Sequence, residues 1–329
     1  MKTTSLRSIG AAVALALVAL VGYLYFSHRT PASPAGSQLT PVSLRLQWIT
    51  QAQFAGYYMA KEKGFYAEAG LDLKINPGGQ DFNALTLVSA GSDTFGIWTA
   101  DQVLTGIARG APVTPLGAVF EKSLAAFMVH ADSAIQGPKD FEGKTVGIYA
   151  GYDTETIYLH LLKKFNVDRT KIKETPLQYD LARFFTRQVD VWPAYVINQP
   201  IAAEQAKISV RLLTPEQFGL RLYSDILIAN NAALQRDPSL AKKFLDATAR
   251  GWDYAANNRD ETLIILKRLD PSLNEAVQRR MLDICVTYIG ARTPKFAMTR
   301  ENWEGIASLL KEQAQIPMDF DVAAKFGLK

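Results

Sequence analysis

The chain has little of what most reaction chemistry needs. One cysteine, Cys285, occurs in 329 residues. No internal disulfide can form, a Cys/His zinc set is excluded, and no lipid-modified N-terminal cysteine follows an export segment. Met281, Leu282, Ile284 and Val286 surround Cys285 with an apolar pattern, which reads as a buried, inert thiol. The three histidines are His28, His130 and His160, and no pair stands at metal-ligand spacing. No G-x-S-x-G occurs, so there is no nucleophile elbow. Gly143-Lys144-Thr145 resembles the end of a phosphate loop. Pro138, however, stands where the upstream glycine belongs, and the GKT precedes its strand, whereas a phosphate loop must come after one. Glu121, Asp153 and Glu155 read as solvated loop carboxylates rather than a catalytic pair, with Glu121 kept as a binding candidate. Charge of one sign is missing too. Of 36 Lys and Arg against 32 Asp and Glu, Lys2, Arg7 and Arg29 fall within residues 1–41, which leaves 33 against 32. A body so close to neutral gives no case for nucleic acid as partner.

The composition is 48% hydrophobic and 21% charged, and the chain is long enough for one large domain or two lobes. Residues 9–26 are apolar throughout and come after Lys2 and Arg7. Residues 1–27 are therefore expected to be a cleaved signal peptide or an uncleaved signal anchor in the inner membrane, and the remainder of the chain is expected to be exported. Residues 28–41 are rich in Pro, Ser, Ala and Gly and read as a flexible linker.

The folded part is organised around residues 44–64. Val42, Leu44, Leu46 and Trp48 alternate with polar residues as a strand with one buried face. Gln51 and Gln53 break the pattern. Phe54, Tyr57 and Tyr58 then recur at helical spacing up to Gly64. A strand ending in tryptophan, a polar loop and an aromatic helix start suit a flat, hydrogen-bonding small molecule beyond the strand's C-terminal end. Asn76-Pro77-Gly78-Gly79 is a turn whose bare backbone could approach a ligand. A second such junction ends in Trp98, with Asp101 positioned to cap the next helix.

Strand and helix alternate from Val42 to about Val129, then restart with a turn and strand at residues 139–149. Val189 to Trp192 reads as a strand stopped by Pro193, and Ala194 to Ala206 as a helix interrupted near Asn198. Residues 223–229, YSDILIA, read as a strand that could return to the first lobe, and from Pro238 the pattern is nearly all helix. The expected fold is α/β and two-lobed, each lobe a mixed, mostly parallel sheet flanked by helices, with a helical C-terminal part. Lobe I is expected over 42–128 and 224–329, lobe II over 129–223, with a cleft that closes by a hinge. The candidate ligand-binding residues are Trp48, Gln51, Gln53, Phe54, Tyr57, Trp98, Asp101 and Glu121 on lobe I. On lobe II they are Tyr149, Tyr152, Thr154, Trp192, Tyr195 and Asn198. Such a set binds by stacking and hydrogen bonding and holds no nucleophile with a base, so a ligand trap without a cofactor is expected rather than an enzyme.

Several motifs resemble the substrate-binding proteins of ABC importers of the thiamine-pyrimidine type, a family that includes alkanesulfonate, taurine, nitrate and riboflavin binders and the thiamine-pyrimidine synthases. They are Leu46-Gln47-Trp48, Gly56-Tyr57-Tyr58-Met59-Ala60, Glu62-Lys63-Gly64-Phe65-Tyr66 and Gly70-Leu71-Asp72-Leu73. Residues 139–147 and Val189-Asp190-Val191 extend the match. The resemblance implies a type II periplasmic-binding-protein fold, with an ABC permease and ATPase as partners. It implies a planar heteroaromatic vitamin or precursor as ligand, a thiamine-type pyrimidine or riboflavin. Pyrimidine binders and synthases carry a histidine after the tryptophan, where this chain has Phe54, and that departure favours a larger ring such as a flavin. The synthases also carry a cysteine-rich motif that one cysteine cannot form. A sulfonate or nitrate would call for more polar donors. A membrane-anchored sensory or accessory domain is the alternative from another class.

Overall fold

Val42 and Leu44 face inward from a first strand, as their alternation predicts, and that strand begins at Thr40, inside the expected linker. The structure, a computed structural model, describes residues 39–178 and 180–326. The expected export segment 1–27 and residues 28–38 of the linker lie outside the described residues. Residues 40–329 form one unit.

Among the described residues, ten strands make two five-stranded sheets. The chain runs through β1 (Thr40–Arg45), β2 (Leu71–Asn76), β3 (Phe95–Trp98), β4 (Val113–Phe120) and β5 (Ala125–His130). It continues through β6 (Thr145–Ile148), β7 (Lys173–Pro176), β8 (Val191–Tyr195), β9 (Val210–Leu213) and β10 (Ser224–Asn230). The first sheet has the order β2-β1-β3-β10-β4 and the second β7-β6-β8-β5-β9. Both share one plan. A central strand pairs in parallel with two neighbours, β1 with β2 and β3, and β6 with β7 and β8. A further strand then pairs antiparallel on both sides, β10 in one sheet and β5 in the other. Each sheet is thus mixed in equal parts. The antiparallel strands are those next to the two chain crossings, where the backbone re-enters a sheet without a helical crossover.

The expected lobe boundary at 128/129 falls inside β5, which pairs wholly within the second sheet. The chain crosses instead over residues 121–124 and 214–223. Alternation identifies a strand but not its sheet. Pro193 does not stop its strand: β8 runs on to Tyr195. β6 pairs with β8 only at Val146↔Val191, so the ladder beyond needs no N–H from Pro193. The helix expected from Ala194 starts at Gln199 with Pro200 in its first turn, where the missing N–H costs nothing.

Helix 55–62 and the long helix Leu240–Asn257 cross at two glycines. A Cβ on Gly251 would lie 2.0 Å from the Gly56 carbonyl oxygen, and one on Gly56 2.3 Å from the Trp252 ring. Helix Arg300–Glu312 lies behind both lobes, against helix Ala100–Ala108 of lobe I and helix Asp153–Lys164 of lobe II. Just beyond it the Gln313 amide donates to the Thr156 carbonyl at 2.8 Å. One apolar cluster runs from Val88 and Val103 through Phe127 and Tyr158 to Trp303, and so joins the lobes at the back. Among the described residues no helix is long and apolar enough to cross a membrane.

Candidate functional site

A cleft of about 440 Å³ lies between the two sheets, within the range of small-molecule sites. Its walls come from the C-terminal ends of parallel strands, where sheet topology leaves a crevice. From lobe I, Gln47 and Trp48 leave β1, Gly79 to Asn83 come after β2, and Trp98 and Thr99 end β3. From lobe II, Tyr149 and Gly151 to Thr154 come after β6, and Pro193, Tyr195 and Asn198 lie at or beyond the end of β8. Gly78 fixes one edge. Its N–H donates to the Trp48 carbonyl at 2.9 Å, and a Cβ there would lie 2.3 Å from the Leu46 carbonyl oxygen. The bare backbone expected to approach a ligand is instead packed on the exit of β1, and Gly79 beside it lines the cleft.

Eight of the sequence candidates come together on this cleft: Trp48, Gln53, Trp98, Tyr149, Tyr152, Thr154, Tyr195 and Asn198. Six do not line it. Phe54 and Tyr57 are fully buried in the lobe I core, Tyr57 edge-on to Trp252. The helical spacing that made them candidates turns them inward, so Phe54 says nothing about the size of a bound ring. Trp192 is fully buried between Tyr149 and Phe184 in the lobe II core, because its neighbour Pro193 takes the cleft-facing side of the strand. Gln51 sits behind Gln53 and donates to it at 2.7 Å. Asp101 lies one residue into its helix, with Thr99 at the cap position, and accepts from the Thr156 hydroxyl of lobe II at 3.0 Å. Glu121 lies at the first crossing, 3.9 Å from Arg292.

Sequence reading missed Gln47, Phe82, Gln102 and above all two buried acids. Asp153, read as a solvated loop carboxylate, is 8% exposed and lines the cleft. It opens helix Asp153–Lys164, accepting from the Tyr195 hydroxyl at 2.9 Å and the Thr154 N–H at 2.8 Å. Asp225 is 2% exposed at the start of β10, with φ +55°. Its left-handed backbone, rare outside glycine, is a signal no apolar pattern carries. Both Gln47 and Gln53 donate to it, at 3.1 Å and 2.9 Å. Burial, with the Asp101 charge adding to it, pushes the Asp153 carboxyl up to about 7. Burial, with Asp153 adding to it, pushes Asp225 up to about 7 against the pull of Gln53. Burial also raises Tyr195, again with Asp153 adding.

Among the described residues no Lys, Arg or His lines the cleft, and no group of three His, Cys, Asp or Glu side chains is placed to hold a metal ion. The lobes touch across the cleft through the Gln102 amide, which donates to the Gly151 carbonyl at 2.8 Å, and through the Thr156–Asp101 bond. The arrangement can hold a ring between aromatic faces and satisfy its edge with amides, hydroxyls and carboxyls.

Comparison with known proteins bears on the family and the fold. The chain is 25% identical over 267 residues to the riboflavin-binding protein of Chloroflexus aurantiacus, covering 77% of this chain and 74% of that one. It is 24% identical over 291 residues to the 4-amino-5-hydroxymethyl-2-methylpyrimidine phosphate synthase of Legionella pneumophila, covering 86% and 89%. It is 23% identical over 294 residues to the formylaminopyrimidine-binding protein of Halalkalibacterium halodurans, covering 86% and 88%. In fold it matches the periplasmic aliphatic sulphonate binding protein of Escherichia coli with a TM-score of 0.70 at 17% identity, over 87% of this chain and 91% of that one. Together with the two mixed sheets and the helical C-terminal part, this shows a periplasmic-binding-protein fold. The NMT1/THI5-like family matches residues 51–262, well over half of the chain, and the chain belongs to that family.

Proposed function

We propose that the chain is an extracytoplasmic solute-binding protein of an ABC importer that traps a planar heteroaromatic vitamin or precursor between its lobes and passes it to a permease and ATPase. The observation that carries this is the cleft lining. Trp48, Trp98, Tyr149, Tyr152, Tyr195 and Phe82 supply ring faces, glutamines and Asn198 supply amides, and no cationic side chain stands among the described lining residues. A sulfonate, nitrate or phosphate would be buried without a charge partner, which costs several kcal/mol. The likeness to the sulphonate binding protein is therefore one of fold. The same argument counts against a phosphate-bearing substrate, and so against the synthase activity that names the Legionella relative. The apolar N-terminal run supports export, either released by cleavage or held at the inner membrane.

Titration of the purified protein with riboflavin, with 4-amino-5-hydroxymethyl-2-methylpyrimidine and with taurine, monitored by tryptophan fluorescence, tests the reading. Quenching at micromolar concentration is expected for at least one of the two heteroaromatics and none for taurine. Taurine binding without heteroaromatic binding would overturn it.

A further inference from the structure

We infer that Arg45 is a positioning residue. It holds the loop 77–83 preformed at the mouth of the cleft, with the Phe82 ring in place to cover a bound ring, and so sets how slowly a ligand leaves. This inference rests on the heteroaromatic reading above and deepens it.

Phe82 is the most exposed of the aromatic residues that line the cleft, at 45%. A core does not hold such a ring, so the loop that carries it must be fixed in another way. The loop is tied at both ends. At one end the Gly78 N–H donates to the Trp48 carbonyl at 2.9 Å. At the other the Asn83 side chain caps helix Ala84–Ser89, accepting from the Thr86 N–H at 2.9 Å. Between these ties the Phe82 N–H closes a turn on the Gly79 carbonyl at 3.2 Å, and Gln80, Asp81 and Phe82 are exposed. Arg45 supplies the support behind the ring. It is the last residue of β1 and leaves the strand on the face opposite Leu44, away from the lobe I core. Its Nε donates to Asp93 Oδ2 at 2.9 Å and its Nη1 to the Pro77 carbonyl at 2.7 Å. Its guanidinium carbon stands over the Phe82 ring, 5.0 Å from the centroid. Asp93 is 1% exposed, and its other oxygen accepts from the Asn76 amide at 2.6 Å, so the acid is a fixed anchor. One planar group therefore joins a buried acid, the carbonyl that opens the loop and the ring on the loop's far side. Lysine could meet the acid, but as a point charge it offers neither the fork nor the plane. A ligand thus meets a loop that is already ordered, and little freedom is lost when it binds.

Stopped-flow fluorescence of the full-length protein reads association and release separately. The probe is riboflavin, or 4-amino-5-hydroxymethyl-2-methylpyrimidine where that is the ring that binds. Arg45→Lys keeps a charge beside Asp93 and removes the plane behind Phe82. It is expected to speed release about three- to ten-fold and to change association by less than about two-fold. Phe82→Leu is expected to speed release by a similar factor. In a chain already carrying Phe82→Leu, Arg45→Lys is expected to add less than about 1.5-fold, because the ring it acts through is gone. A residue that only braced the sheet would speed release equally in both backgrounds, and equal effects overturn the inference. An unchanged release rate in Arg45→Lys or in Phe82→Leu also overturns it and leaves the heteroaromatic reading standing. Arg45→Met decides by the same comparison if thermal melting shows that Arg45→Lys does not fold. Failure of both rings to bind the unaltered protein overturns the reading and the inference together.

Discussion

Replacing Asp225 by Asn is expected to change how stability depends on pH, by an amount the structure sets. The Asp225 carboxyl stands near 7 in the fold against 3.8 in an exposed chain, because burial penalises its charge. Between about pH 4 and 7 the folded protein therefore holds a proton that the unfolded chain has lost. Stability is highest on the acid side of this window and falls as pH rises through 7. At about 1.4 kcal/mol per pH unit, integration from pH 5 to pH 8 gives a loss of about 2–3 kcal/mol from this one group. Asp153 contributes a second loss of the same sign. His160 opposes them: burial lowers its folded value, so its contribution grows as pH rises toward 6.5. The variant keeps His160 and Asp153, and subtracting its profile from that of the unaltered protein gives the contribution of Asp225 together with its coupling to Asp153. Over residues 40–329, an unfolding entropy of about 2.1 cal/mol/K per residue gives roughly 0.6 kcal/mol/K. The expected signal is then a melting temperature that drops about 3–5 °C more from pH 5 to pH 8 in the unaltered protein than in Asp225→Asn. Differential scanning calorimetry without ligand measures it. Parallel profiles for the two proteins would show that Asp225 does not titrate in this window and would refute the reasoning.

Two further outcomes depend on where the tryptophans and glycines stand. Trp98→Ala removes a cleft wall and is expected to weaken heteroaromatic binding by about 1–3 kcal/mol. Trp192→Ala empties a core position and is expected to cost about 3–5 kcal/mol of stability. Calorimetric melting and ligand titration of both variants separate the two, and a larger binding loss in Trp192→Ala would contradict the placement of that ring. Gly251→Ala puts a methyl 2.0 Å from the Gly56 carbonyl oxygen. It is expected to lower stability by about 1–3 kcal/mol or more, whereas Gly110→Ala, with open space around its Cβ, is expected to show only the smaller backbone strain of its positive φ; urea unfolding compares them.

The amino-acid order by itself determined the α/β class and the strand–loop–helix junctions. Val42, Leu44 and Leu46 alternate because one face of a strand must be dry, and that needs no knowledge of the rest of the chain. It also determined what is missing: one cysteine allows no internal disulfide and no metal set built from several cysteines. Trp48 and Gln53 were legible as candidates for the cleft lining because a strand's C-terminal end is where such residues gather, whereas Gln51 lies behind Gln53 and Gln47 was missed. Tertiary structure decided which aromatics see the cleft. Trp98 and Trp192 read alike in sequence, each at a strand end, yet one lines the cleft and the other fills the lobe II core. The choice depends on which face of the strand the sheet turns outward and on what packs behind it. It also decided the acids. Asp153 and Asp225 carry no pattern of their own, and their burial and their hold on Tyr195, Gln47 and Gln53 arise from segments far apart in the chain, brought together only when both sheets have formed.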